Sequence, residues 1–383
     1  MPMMAGAYDK SGQPKQKLLI FQSAKTMSHD FQDTYPVEDE TYPNEARQVQ
    51  RTRHRMAFYG SGGEYFRIWL VNLGLSVITL GIYSPWAKVR AQRYFHSNTE
   101  LDGTAFEYHA TPRSILLGRG LLALILIAGV VLVQTSNPLA LLVLFAGLIL
   151  LPWLMASSMR FKARMVSWRG VRFAWQGSTA SVYGRSLKVL LLTAITFGIY
   201  YFAGHHAFKR LLVDKLQFGD KEFKCQSTGG SFYGPYVLFG IATSVGSKLL
   251  ELLGQALSKS LDAGFVEVAI SGLTIGLLYV AYQVLACMLS KIVQNKTSIG
   301  NLQLVNDSEF TEVLRLYTVN FIYTALTFGL YWPWAQIGVM QYRASHFEVV
   351  GDLQALQSNN IAAQQTGAFG QEAAGAMDFD VSF

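Results

Sequence analysis

Lys88, Arg90 and Arg93 follow one another at intervals of two or three residues, directly after an apolar run that ends in TLGIYSPWA. His205 with Lys209, and His206 with Arg210, stand four apart after the related TFGIYYFAG, and Gln336, Gln341 and Arg343 follow TFGLYWPWA. Residues four apart share a helix face. A charge at the centre of a bilayer costs at least ~2.5 kcal/mol, so such arms need water, a partner or phosphate headgroups. Two arrangements meet that need. The arms are interfacial or partly re-entrant and snorkel to headgroups, or they face inward and line a basic cavity for an anionic solute or lipid headgroup. Catalysis has no support: the chain has no Ser/His/Asp set, no HExxH and no phosphate loop, and YGSGGEYF lacks the Lys-Ser/Thr that would open a helix on a phosphate. A non-enzymatic protein is expected, with no cofactor and no metal.

The element that positions each arm is the turn before it. Gly81, Gly198 and Gly329 supply the backbone freedom that ends a helix. Thr79, Thr196 and Thr327 start the three turns in one register. Tyr83, Trp86, Tyr200, Tyr331, Trp332 and Trp334 carry amphipathic rings suited to a membrane interface. Ser84 as N-cap and Pro85 as first helical residue predict a fresh helix, and Pro333 repeats that proline. In the middle copy Phe202, Ala203 and Gly204 stand where Pro85, Trp86 and Ala87 would be, which predicts a softer break.

Of 383 residues, 51% are apolar and 15% charged, against roughly 25% charged in ordinary soluble domains. Apolar runs at 114–133, 139–156, 236–254 and 269–289 approach the ~20 residues that cross a bilayer. The net charge of +7 lies beside these runs, as on cytoplasmic flanks of membrane helices, so no nucleic-acid partner is expected. The bilayer is the expected partner, with an anionic lipid or small anionic solute in addition, and no protein partner is specified. Cys225 and Cys287 fall in unlike segments, and no disulfide is expected. Residues 1–55 read as a disordered cytoplasmic tail and 352–383 as a low-complexity tail around a membrane domain at 56–351.

Short alternating stretches precede the apolar runs, with Phe58, Phe106, Phe173, Phe223 and Leu302 as reference positions. Four follow a glycine turn, in LDGTAFEY, WRGVRFAW, FGDKEFKC and SIGNLQL, which is a β-hairpin signal. The spacings alternate short and long, so the chain reads as an internally repeated set of out-and-back excursions with the strands and both termini on the basic, cytoplasmic side. The expected fold is an α-helical multi-pass membrane protein of pseudo-repeated helical hairpins, about ten helices with some partial or re-entrant, carrying short cytoplasmic β-hairpins. The apolar runs contain few carboxylates, and Glu251 and Glu267 are the obvious candidates for proton coupling.

Residues 62–119, in which TLGIYSPWAKVR is joined to LDGTAFEYHATP, resemble the YjgN-like family of bacterial inner-membrane proteins, a domain without assigned function. The resemblance extends more loosely to about residue 350. It implies a multi-pass protein of the bacterial inner membrane and brings no catalytic residue, ligand or solute. The leading expectation is a protein that binds or moves an anionic solute or lipid headgroup. The rival is a scaffold in envelope organisation whose β elements, with Phe106 and Phe173, dock a soluble partner.

Overall fold

The computed structural model describes residues 52–112, 127, 129–134 and 139–356. Ten short strands close into one antiparallel barrel: β1 (Arg53–Phe58), β2 (Thr99–Leu101), β3 (Thr104–Tyr108), β4 (Val166–Trp168), β5 (Val171–Trp175), β6 (Leu216–Phe218), β7 (Lys221–Cys225), β8 (Thr297–Ile299), β9 (Leu302–Asn306) and β10 (Phe347–Val350). Each strand pairs with its neighbour in sequence, and β1 pairs with β10 to finish the ring. Closure leaves no strand edge unpaired. Four tight turns join the hairpins at one end. Asp102-Gly103 and Arg169-Gly170 have positive φ at both central residues, and Gly219 and Gly300 take positive φ at the first, the turn chemistry that suits the strand twist.

At the other end the chain leaves the barrel and returns. Between β1 and β2 stand α1 (Gly62–Ile78) and α2 (Ser84–Ser97); α3 (Leu139–Arg164) leads into β4. Helices α4 (Thr179–Ile195) and α5 (Tyr201–Asp214) join β5 to β6, and α6 (Tyr233–Leu257) and α7 (Ala263–Gln294) join β7 to β8. Helices α8 (Phe310–Leu326) and α9 (Trp332–Ser345) join β9 to β10.

The interior follows from strand alternation. Leu101, Trp168, Phe218, Ile299 and Val349, each just ahead of a glycine turn or chain exit, are buried together. They pair across the sheet with Met56, Phe106, Phe173, Phe223 and Leu304, which are half-buried. The sequence register therefore shifts by two at both ends, with Met56 and Leu304 standing where Phe58 and Leu302 were expected. Leu353 and Leu356, in a 3₁₀ turn after β10, pack against the same cluster and stopper the hairpin-turn end.

The three TxGxY turns have one geometry. Leu80, Phe197 and Phe328 take left-handed φ of about 50° and are 93%, 97% and 98% exposed at the tips. The amide of the following glycine reaches back to Ser76 O (2.7 Å), Thr193 O (2.8 Å) or Thr324 O (2.7 Å), which closes the first helix in a Schellman motif. The threonine joins the two arms: Thr79 Oγ1 donates to Leu75 O (2.7 Å) and accepts from the Tyr83 amide (3.0 Å). Thr196 and Thr327 repeat both bonds. Ser84 is not the N-cap expected; Tyr83 holds that place without a side-chain bond, its carbonyl accepting from the Trp86 and Ala87 amides. The middle copy is no softer: α5 starts at the equivalent residue and has the same 14 residues as α2 and α9, since the threonine, not the proline, sets the break.

The expected fold class is corrected. The organising element is a closed ten-stranded antiparallel barrel, not a multi-pass helical bundle with marginal β-hairpins. Among the described residues two helices, Gly229–Leu257 and Ala263–Gln294, are long and apolar enough to cross a membrane. The first arms α1, α4 and α8 have 17 residues each, about 26 Å at 1.5 Å per residue, short of the ~30 Å core. The expected run at 114–133, apart from residues 127 and 129–133, and most of the two tails lie outside the described residues.

Candidate functional site

A cavity of about 870 Å³ runs from the barrel interior up between the helices. Its lower wall is apolar: all ten inward barrel residues named above line it, with Leu353 and Leu356 beneath. Its upper wall carries charged and amide side chains among apolar ones such as Trp332, Val339 and Met340. Lys88, Lys162, Lys209 and Arg343 line it with Gln92, Gln283, Gln336 and Asn320, and no carboxylate does among the described residues. Lys162 and Arg343 stand four residues ahead of β4 and β10, Lys209 seven ahead of β6 and Lys88 eleven ahead of β2. At 1.5 Å per residue the cations form a column from roughly 6 to 16 Å above the rim. Arg343 donates to the Tyr317 hydroxyl (3.2 Å). Gln336 Oε1 is buried without a hydrogen-bond partner. His96, also on the wall, donates from Nδ1 to Gln92 O (2.8 Å), and burial pushes its pKa below the ordinary range.

The residues singled out in the sequence divide. Lys88, Lys209, Gln336 and Arg343 share the cavity; Arg90 is exposed away from it. Arg93 and Gln341 do structural work. Arg93 donates to Ala110 O (3.3 Å) and Gln341 to Gly60 O (3.4 Å). Arg160 and Lys291 do the same to Gly177 O (3.3 Å) and Ser308 O (2.6 Å). Each donor stands six residues ahead of the strand it enters, and each acceptor two beyond the strand that leaves. These four side chains clamp departing chain to returning helix at the rim. The remaining excursion, between β5 and β6, departs from this: Arg210 pairs with Asp214 (3.2 Å) and His206 Nε2 meets the Ser227 hydroxyl at 2.7 Å. His205 Nδ1 lies 2.5 Å from the Tyr236 hydroxyl.

Of the turn residues, Thr79, Gly81, Tyr83, Thr196, Gly198, Tyr200, Thr327, Gly329 and Tyr331 build the tips already described. Pro85 and Pro333 are buried in the first turns of α2 and α9. Trp86 stacks on Tyr83, while Trp334 stacks on Tyr331 and on Phe66 of α1. The departure at Gly204 has a packing cause. Asn72 Nδ2 donates across the first hairpin to Ala87 O (3.3 Å), and Asn320 across the third to Ala335 O (3.5 Å). The equivalent residue of α4 is Val189, and a Cβ on Gly204 would come within 2.5 Å of its Cγ1.

Lys162 and the amides of α7 and α8 escaped the sequence reading. The offset of Lys162 from β4 equals that of Arg343 from β10. Glu251, a candidate for proton coupling, pairs with Lys248 (2.8 Å), and Glu267 is exposed. Phe106 and Phe173 face the barrel interior, so they cannot form the docking face of the scaffold reading. Outside the barrel, Asp102 Oδ1 lies 3.0 Å from His54 Nδ1 and its Oδ2 accepts from Arg169 (2.7 Å); His54 and Arg169 hold its carboxyl below the ordinary range. Glu348 pairs with Arg53 and Arg55, and raises the Arg55 pKa.

Residues 53–376 match the family model described as a bacterial protein of unknown function (DUF898). The chain belongs to this family. The Inner membrane protein YjgN of Salmonella typhimurium is 28% identical over 365 residues, 80% of this chain and 91% of that protein. The protein of the same name from Escherichia coli O157:H7 is 35% identical over 150 residues, 39% of this chain and 38% of that protein. No solved structure matches. The matched span runs from the first residue of β1 past the last of β10, so the family unit includes the whole barrel. These relatives are inner-membrane proteins, and the chain is a membrane protein of unassigned activity.

Proposed function

We propose that this protein is a non-enzymatic binder of an anionic solute or lipid headgroup, held in the central cavity and handed between membrane and cytoplasm. One observation carries the reading: four cations and no carboxylate line a cavity of about 870 Å³ among the described residues, a size suited to one small ligand. Lys88, Lys209, Arg343 and Lys162 supply charge, and Gln336 supplies an unpartnered carbonyl that suits a ligand hydroxyl or a protonated headgroup. Two further expectations belong to the proposal. Helices α6 and α7 cross the bilayer as a pair. The barrel, with the chain entering β1 and leaving β10, faces the cytoplasm, since Arg53, Arg55, Arg169, Arg172, Lys221 and Lys224 cluster there while the TxGxY tips carry no basic residue.

The test is titration of the full chain, in discs of neutral lipid, with butyl phosphate. The expected result is saturable binding that weakens with salt. Lys88→Gln combined with Lys209→Gln should weaken it at least about tenfold, as befits two charged hydrogen bonds, in a variant that still elutes as folded protein. No binding, or equal binding by the variant, overturns the reading.

A further inference from the structure

The cavity has two chemically different halves, and their order along one axis narrows the ligand. The inference rests on the anion-binding reading above. The upper wall holds the cation column. The lower wall holds Met56, Phe106, Phe173, Phe223 and Leu304, which are half-buried although they point into a closed barrel. Water outside the barrel cannot account for that exposure, so these side chains are open to the cavity itself. Below them Leu101, Trp168, Phe218, Ile299 and Val349 are buried against each other and against Leu353, so the barrel ends in an apolar floor, not a pore. A small hydrophilic anion would use the upper half and leave the apolar ring facing water. A ligand with an anionic head and an alkyl tail would satisfy both halves.

We propose that the cavity holds a single-chain anionic amphiphile, a fatty acid or a lysophospholipid-like monoester, with its head on Lys88, Lys209 and Arg343 and its tail on the apolar ring inside the barrel. One chain fits better than two, because about 870 Å³ lies within the ~300–1,000 Å³ of pockets that enclose one drug-sized molecule. Each methylene moved from water onto the ring contributes about fourfold in affinity, the equivalent of ~0.8 kcal/mol. The gain ends when the tail reaches the floor, whereas partition into a bilayer keeps rising with chain length.

The experiment extends the butyl phosphate titration to hexyl, octyl, decyl, dodecyl and tetradecyl phosphate, with empty discs as the reference. Laurate beside dodecyl phosphate separates a carboxylate source from a phosphate source. The expected result is affinity above the empty-disc reference that climbs with length and then levels off. Phe173→Asn should flatten the climb, read as the ratio of decyl to butyl phosphate affinity. Where Phe173→Asn does not fold, Phe106→Trp, which fills the lumen without charge, should move the plateau to a shorter chain. Butyl phosphate binding that depends on Lys88 and Lys209 but gains nothing with length overturns the amphiphile and leaves the anion reading standing. Long chains that bind no better than to empty discs, with butyl phosphate not bound either, overturn both.

Discussion

At the scale of single residues, small differences between related hairpins have definite causes. The first and third are stitched by an asparagine that reaches a backbone carbonyl on the opposite arm. The middle one replaces that polar stitch with contact between Val189 and the bare backbone at Gly204. Gly204→Ala should then destabilise the protein by about 1–3 kcal/mol, the usual cost of overpacking, because a β-branched neighbour has little room to turn aside. Thermal unfolding in detergent checks this, and Gly204→Ala with Val189→Ala should recover most of the loss. The chemistry of FAG against PWA was visible in the sequence as a departure. Its reason was not, since Val189 and Gly204 are 15 residues apart and nothing local says they touch.

At the scale of elements, the arms that looked alike perform two jobs. Four of the five residues six ahead of a strand hold the rim together, and residues four, seven or eleven ahead face the cavity. On a helix these offsets point to different sides, but spacing within one arm cannot say which side is the cavity. That requires knowing where the neighbouring excursions stand. Arg93→Ala should therefore lower stability by roughly 1–3 kcal/mol, because it leaves the Ala110 carbonyl unpaired, without weakening anion binding. Arg90→Ala, on the exposed side, should do neither. A matched pair of unfolding and titration measurements separates the two roles. Had Arg93 been a ligand, its loss would appear first in the titration. The strands themselves were legible from glycine turns followed by alternation, and the turn motif marked each helix break. The two-residue offset at Met56 and Leu304 was not legible, because both Phe58 and Leu302 are also apolar and buried.

At the scale of the whole molecule, the fact hardest to read from the sequence was closure. Strands of three residues, such as Thr99–Leu101 and Val166–Trp168, carry almost no pairing signal of their own. The bond that completes the ring joins residues at opposite ends of the described chain: Thr52 donates to Gly351 O (2.8 Å), and the Gly351 amide returns to Thr52 O (2.9 Å). Composition and apolar runs pointed to lipid, and they hid the barrel that gathers every excursion on one base. A chain ending after Ser345 lacks β10 and leaves β1 and β9 as open edges, a state prone to aggregation. Such a truncation should be lost from the membrane fraction or appear as aggregate on size-exclusion chromatography, whereas one ending after Leu356 should elute like the full chain.

The seam between β1 and β10 also sets a clock. Its two sides are 299 residues apart, so at ~5–20 residues per second the ribosome needs about 15–60 s to deliver the second after the first. Throughout that interval the earliest strand waits with one flank bare, while helices made later must find their places beside it. The cell either shields that flank during translation or assembles the ring only after the last codons are read.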